Sequence, residues 1–159
     1  MDHSDGVKKV AELMNGAKLC TLTTYDGENL VSRPMGLQQI EFDGDLWFFT
    51  YKDSNKVHEI TEHSKVNLAF ENNSSWVSLS GTANIVDDLN KAEELWNPFL
   101  KAWFPEGLET KGLTLLKVHA ESAEYWDSND PKVVQLFGMV KAAATGKPAK
   151  GGENETMQF

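Results

Sequence analysis

Leu46-Trp47-Phe48-Phe49-Thr50-Tyr51 runs directly into Lys52-Asp53-Ser54-Asn55-Lys56-Val57-His58-Glu59-Ile60. The first six residues are apolar, aromatic and β-forming, and predict a strand. Asp53 or Ser54 then caps a short helix over residues 55–63. Hydroxyls and two lysines gather where strand gives way to helix. A second segment of note lies upstream, in the strand-like run Val31-Ser32-Arg33-Pro34-Met35. Among the 15 lysines and arginines of this chain, Arg33 is the only arginine, and the net charge is -9. A lone guanidinium on a strand of an acidic protein is a fixed, always-charged fork suited to phosphate or carboxylate. The two segments together read as an anion site. The competing reading is a surface Arg33 paired with one of the 24 carboxylates.

Working outward, residues 5–14 carry Val7, Val10, Ala11 and Met14 at helical spacing, with Gly16 as a stop. From Ala17 the period becomes two. Lys18 to Thr24 and Leu30 to Met35 are strands joined through Asp26-Gly27, a pair that tolerates the positive φ of a tight hairpin. Pro34 lacks an N–H and belongs on an edge or at a bulge. A second Asp-Gly turn, Asp43-Gly44, leads from residues 38–42 into Leu46 to Tyr51, so the first half reads as a β-meander. Val66 to Phe70 and Trp76 to Val86 are further strands. Gly81 within the latter marks a bulge or a close backbone approach. Asp87 or Asp88 caps a helix through Trp96, an aromatic connection follows, and residues 113–118 and 122–126 end the strands. Residues 133–144 have weak helical periodicity. The expected division is one domain over residues 1–145 and a flexible C-terminal tail over 146–159.

Composition bounds the function. At 159 residues the chain supports one domain with a core that needs no staples. A single cysteine, Cys20, excludes an internal disulfide and fits a reducing compartment, so the expected location is cytoplasmic. The start is polar, without a secretory or transit pattern, and no apolar stretch reaches the length of a membrane span. The acidic balance argues against nucleic-acid binding. His58 and His63 are five apart and do not share one helix face as metal ligands would, so no metal is expected. Neither a Gly-x-Ser-x-Gly elbow, a Walker loop nor a Gly-x-Gly-x-x-Gly turn is present. Cys20 reads as a small buried residue, and the five tryptophans read first as core. The alternative for the tryptophans is an aromatic pocket beside the anion site, which would suit a ring system bearing a phosphate.

At this point the sequence resembles the general stress protein branch of the pyridoxamine 5′-phosphate oxidase-like flavin-binding split-barrel superfamily. The resemblance rests on segments in order from about residue 5 to 126. They include Ser32-Arg33-Pro34-Met35, Leu46-Trp47-Phe48-Phe49-Thr50 and Ser54-Asn55-Lys56-Val57-His58-Glu59-Ile60. They continue with Val77-Ser78-Leu79-Ser80-Gly81-Thr82-Ala83, Leu95-Trp96-Asn97-Pro98, Trp103-Phe104-Pro105-Glu106-Gly107 and Ala123-Glu124-Tyr125-Trp126-Asp127. It implies a mainly β fold with flanking helices, a six-stranded antiparallel split β-barrel. It also implies a homodimer with two flavin mononucleotide (FMN) sites at the subunit interface, FAD or a deazaflavin being the alternatives. Carried over by position, Arg33, Ser54 and Lys56 contact the phosphate with Thr50 beside it. The backbone of Pro34-Met35 and Phe49-Thr50 passes along the ring, and Trp126 approaches it from the partner chain. Relatives that oxidise pyridoxamine phosphate end in an arginine-bearing segment. This chain has no arginine after position 33, so vitamin B6 oxidation is not expected. Three functions stay open: an FMN-dependent oxidoreductase, a non-catalytic flavin carrier or sensor, and an interaction protein with a degenerate cofactor site.

Overall fold

A computed structural model describes residues 3–15, 17–37, 42–72, 75–127 and 153–159. Helix α1 (His3–Met14) leads into strands β1 (Leu19–Tyr25), β2 (Leu30–Gly36) and β3 (Asp45–Tyr51). Helix α2 (Asn55–Glu62), β4 (Lys65–Asn72), β5 (Ser75–Val86) and α3 (Leu89–Leu95) follow. Two short 3₁₀ turns then precede the long strand β6 (Leu113–Asp127), and β7 (Glu153–Gln158) comes last.

The strands form one sheet in the order β2-β1-β4-β5-β6-β3, every neighbouring pair antiparallel, with β7 joined to β6. The sheet does not close: β2 and β3 end the order and are not paired with each other. This open, antiparallel, helix-flanked sheet is the split barrel expected from the sequence. The β1–β2 hairpin turns where Asp-Gly directs it. Gly27 has φ +100°, and the Asp26 carboxylate accepts from the backbone N–H of Glu28 and Asn29 at 2.8 and 2.6 Å. Those donors hold the Asp26 carboxyl below its ordinary value.

The first arm of the hairpin expected to lead into β3, residues 38–41, lies outside the described residues, and the described partner of β3 is distant in sequence. Strand β3 pairs along its whole length with the first half of β6, Asp45 opposite His119 through Tyr51 opposite Leu113. The physical reason is its two apolar faces. Leu46 and Phe48 enter the main core with Leu22, Leu68, Leu79 and Val118, while Phe49 enters a second core with Leu95, Phe104 and Leu115. Pairing with β6 places β3 where both of its faces are covered, although it ends the sheet order. Gly81 falls at a register shift against β6, and a Cβ there would meet the His119 carbonyl oxygen at 2.3 Å. The expected close approach is thus met.

The stretch expected as a tail also differs. Glu153–Gln158 is β7, antiparallel to the end of β6. Met157 is buried in the main core, and the Phe159 ring meets Phe42 edge-on at 5.8 Å. Residues 146–152, the helical stretch 133–144 and the expected strand start at 38–41 lie outside the described residues. No helix among the described residues is long and apolar enough to cross a membrane.

Candidate functional site

The sequence-predicted polar residues meet at the split of the barrel, between the two end strands. Thr50 stands on β3 with its side chain on the face opposite Phe49, by the alternation of a strand. It is buried, and its Oγ1 accepts from Lys56 Nζ at 3.1 Å and lies 3.4 Å from Ser54 Oγ. Ser54 is the N-cap residue of α2, yet its side chain makes no capping hydrogen bond. A serine in that position ordinarily satisfies a backbone N–H of the first turn. Here the hydroxyl turns toward Thr50 instead, and the first turn of α2 keeps donors to offer. Lys56 is half-buried; burial and the charge of Arg33 hold its ammonium below the ordinary lysine range, with Glu59 pulling the other way.

Arg33 reaches the same region from β2. Its side chain is only 19% exposed, so it is no surface arginine. Nη1 donates to Thr24 Oγ1 at 2.7 Å, and more distantly to the Leu22 carbonyl at 3.4 Å, while Nη2 donates to Glu59 Oε2 at 3.0 Å. Helix α2 therefore spans the seam. Lys56 on it is tied to β3, and Glu59, one turn on, is tied to β2. Arg33 has a carboxylate partner, as the bland reading of the sequence required, but in a shielded place beside a second cation. Among the described residues its Nε–H and the remaining Nη2 N–H have no partner.

Sequence reasoning missed Glu59 and Thr24. A signal was available for each. Glu59 is three residues from Lys56, hence on the same helix face. Thr24 is diagonal to Arg33 once the Asp-Gly hairpin fixes Leu22 opposite Arg33.

The residues expected along a planar ring are divided. Met35 is buried in the main core and Pro34 is exposed. The Phe49 ring is consumed by the second core, 5.6 Å from Trp96 and 6.3 Å from Phe104, which leaves only its backbone for a ligand. Trp126 is separated from Arg33 in the sheet order. It stands on β6, opposite Trp76 and part-exposed, four strands from β2 in the sheet order. At ~4.8 Å per strand that is roughly 19 Å along the sheet. Trp47 is occupied by cations, with Lys91 Nζ 4.9 Å and Lys117 Nζ 5.7 Å from its ring centre.

Other candidates carry less. Cys20 is buried, and burial pushes its thiol up to about 12. His58 is exposed on α2. Among the described residues no three His, Cys, Asp or Glu side chains gather as a metal site. Asp88, not Asp87, caps α3 by accepting from Lys91 N at 3.1 Å. Asp87 pairs with Lys52 at 2.9 Å and accepts from Thr114 Oγ1 at 2.7 Å, which together lower its carboxyl pKa. That pair rims a cleft of about 320 Å³ lined by Phe49, Val86, Ala92, Leu113 and Leu115, on the other face of β3 from Thr50.

Comparison with known proteins bears on the family and the fold. Residues 5–150 match the family described as pyridoxamine 5′-phosphate oxidase like. Protein bli-3 of Neurospora crassa is 31% identical over 156 residues, 90% of this chain and 75% of that protein. A general stress FMN/FAD-binding protein from Xanthomonas citri is 30% identical over 75% of this chain and 89% of its own, with a TM-score of 0.66. A Clostridium acetobutylicum protein related to general stress protein 26 superposes over 100% of this chain and 97% of its own, with a TM-score of 0.68. Its identity of 19% makes that likeness one of fold alone.

Proposed function

This chain belongs to the pyridoxamine 5′-phosphate oxidase-like family, in its general stress protein branch, and from that premise we propose that it binds a flavin by its phosphate at Arg33, Thr50, Ser54 and Lys56. One observation carries the reading. Two cations, two hydroxyls and a helix N-terminus converge on a shielded seam of a protein whose net charge is -9. The lowered pKa of Lys56 suits a site for an anion, because an anion would offset both its burial and its repulsion from Arg33. Ser54, unspent as a cap, fits an oxygen acceptor.

On this reading FMN is the ligand, since a terminal phosphate suits a compact set of donors. The ring lies along the backbone of Pro34-Met35 and Phe49-Thr50. On this reading the protein is a homodimer, with Trp126 reaching the ring from a second chain; its separation from β2 in the sheet order supports this. A bound flavin supplies two-electron chemistry at its own ring; the protein's contribution is orientation, charge and exclusion of water.

Among the described residues, those at the seam bind and orient and offer no evident proton donor. Glu59 is engaged by Arg33 and Thr24, and His58 is exposed on α2. That observation favours a carrier or sensor of the cofactor over an oxidoreductase with robust turnover.

The binding reading is tested by titrating the purified chain with FMN while following flavin fluorescence, beside sedimentation at micromolar concentration. The expected result is saturable quenching and a dimer. Unquenched flavin, or a flavin-loaded monomer, would contradict it. Oxidation of a reduced nicotinamide by the loaded protein then separates enzyme from carrier, and the expected rate is close to that of free FMN.

A further inference from the structure

Glu59 has no part in the phosphate set, yet it sits at the centre of the cluster. Its Oε2 accepts from Arg33 Nη2 at 3.0 Å and from Thr24 Oγ1 at 2.5 Å. Thr24 Oγ1 in turn accepts from Arg33 Nη1 at 2.7 Å. The result is a closed triangle drawn from β1, β2 and α2. Thr24 is buried, and the Arg33 and Glu59 side chains are 19% and 15% exposed, so water does little to dilute these charges. The proton of Thr24 has one direction open to it, toward the carboxylate, because its oxygen is already an acceptor from Arg33.

The triangle has an electrostatic consequence. Arg33 and Lys56 bring two positive charges, and Glu59 removes one. Its field reaches Lys56 as well, opposing the effect of Arg33 there. A phosphate monoester carries close to two negative charges at neutral pH. Resting on the phosphate assignment above, we propose that Glu59 is a positioning and specificity-determining residue of this site. It fixes the fork of Arg33 by one edge and moderates the positive charge, setting phosphate affinity below what Arg33 and Lys56 would give alone. A carboxylate that acted only by tying α2 to β2 would, when neutralised, loosen the site for phosphate and neutral ring alike, whereas one that acts by its charge alters phosphate affinity alone.

The test is the affinity of wild type, Glu59→Gln and Thr24→Val for FMN and for riboflavin, by fluorescence titration at low salt. The Gln side chain keeps a carbonyl to accept from Arg33 and Thr24, and loses the charge. Removing one unit of charge near a dianion predicts FMN binding roughly 5- to 10-fold tighter in Glu59→Gln. Riboflavin affinity should stay at the wild-type value, so the preference for FMN widens. Thr24→Val keeps every charge but releases Nη1 of Arg33, and should bind FMN no better than wild type. Unchanged or weaker FMN binding in Glu59→Gln overturns the role of Glu59. So does a parallel gain for riboflavin, or an equal gain for FMN in Thr24→Val. Equal affinity of the wild-type protein for the two ligands is a different failure: it overturns the phosphate assignment itself, and this role with it.

Discussion

Two places in the molecule set a shielded cation against a carboxylate, and they are built differently. Midway along α1, Lys9 Nζ lies 2.5 Å from Asp127 Oδ2, and Ser75 Oγ donates to the other oxygen at 2.8 Å. Asp127 is buried, and the contact fastens a helix to the end of β6 and the start of β5. At the seam, one carboxylate, Glu59, faces two cations, Arg33 by direct contact and Lys56 through its field. The first arrangement holds the fold together. The second leaves a positive charge and unspent donors in an acidic protein, an arrangement that stability does not require, since charge in excess of its partner costs desolvation without return. An excess of that kind points to a ligand.

The comparison breaks first at the seam. Arg33→Ala with Lys56→Ala should remove phosphate recognition altogether, leaving FMN bound no better than riboflavin; two or three lost charge-assisted bonds amount to about 3–4.5 kcal/mol. A surviving preference for FMN in the double variant would place the phosphate elsewhere. Arg33→Ala alone should cost roughly 10- to 150-fold in FMN affinity, and Arg33→Lys should also be impaired because an ammonium lacks the planar fork. The fold should weaken as well in Arg33→Ala, since Glu59 then loses its cation; thermal unfolding of the ligand-free protein measures that part separately. Lys9→Met is the control from the other cluster. It should lower stability by about 2–3 kcal/mol, as a buried carboxylate loses its cation and keeps its other partners, with FMN affinity unchanged in the folded protein. A loss of affinity there, with stability intact, would erase the distinction between the clusters.

The smallest effect is one of pH. The Lys56 pKa is lowered from 10.5 in the folded, ligand-free protein, by burial first and Arg33 second. The protonated ammonium is therefore a cost to the fold below its folded pKa. That cost is relieved as pH rises from there toward the unfolded value, so stability should climb in the alkaline window below 10.5. FMN binding runs the opposite way, because the phosphate wants the ammonium charged; affinity should fall over the same window. Lys56→Met should abolish both trends, and parallel trends in stability and affinity would refute the assignment.

Much of this was legible in the sequence, for local reasons. Arg33, Ser54 and Lys56 stand out by residue type alone, and both Asp-Gly turns and the strain-free glycine at 81 mark their own geometry. What could not be read was long-range. Nothing local in residues 46–51 names β6 as their partner, and two apolar faces in search of cover decide the matter. Glu59 is one carboxylate among 24 until the sheet curls and α2 crosses the seam. Glu153-Asn154-Glu155-Thr156 reads as tail because a strand joined by one edge to β6 needs little more than Met157 buried to hold it. The separation of Trp126 from Arg33 in the sheet is one of strand order, which no local pattern encodes.

The most direct test of the central claim compares FMN with riboflavin on the wild-type protein at low ionic strength. The two ligands present the same ring and differ by the phosphate. The account predicts that FMN binds several hundred-fold more tightly, from about 3–4.5 kcal/mol of charge-assisted contacts, and that added salt erodes the difference. Equal affinities at low salt would mean that Arg33 and Lys56 serve the fold alone, as Lys9 does.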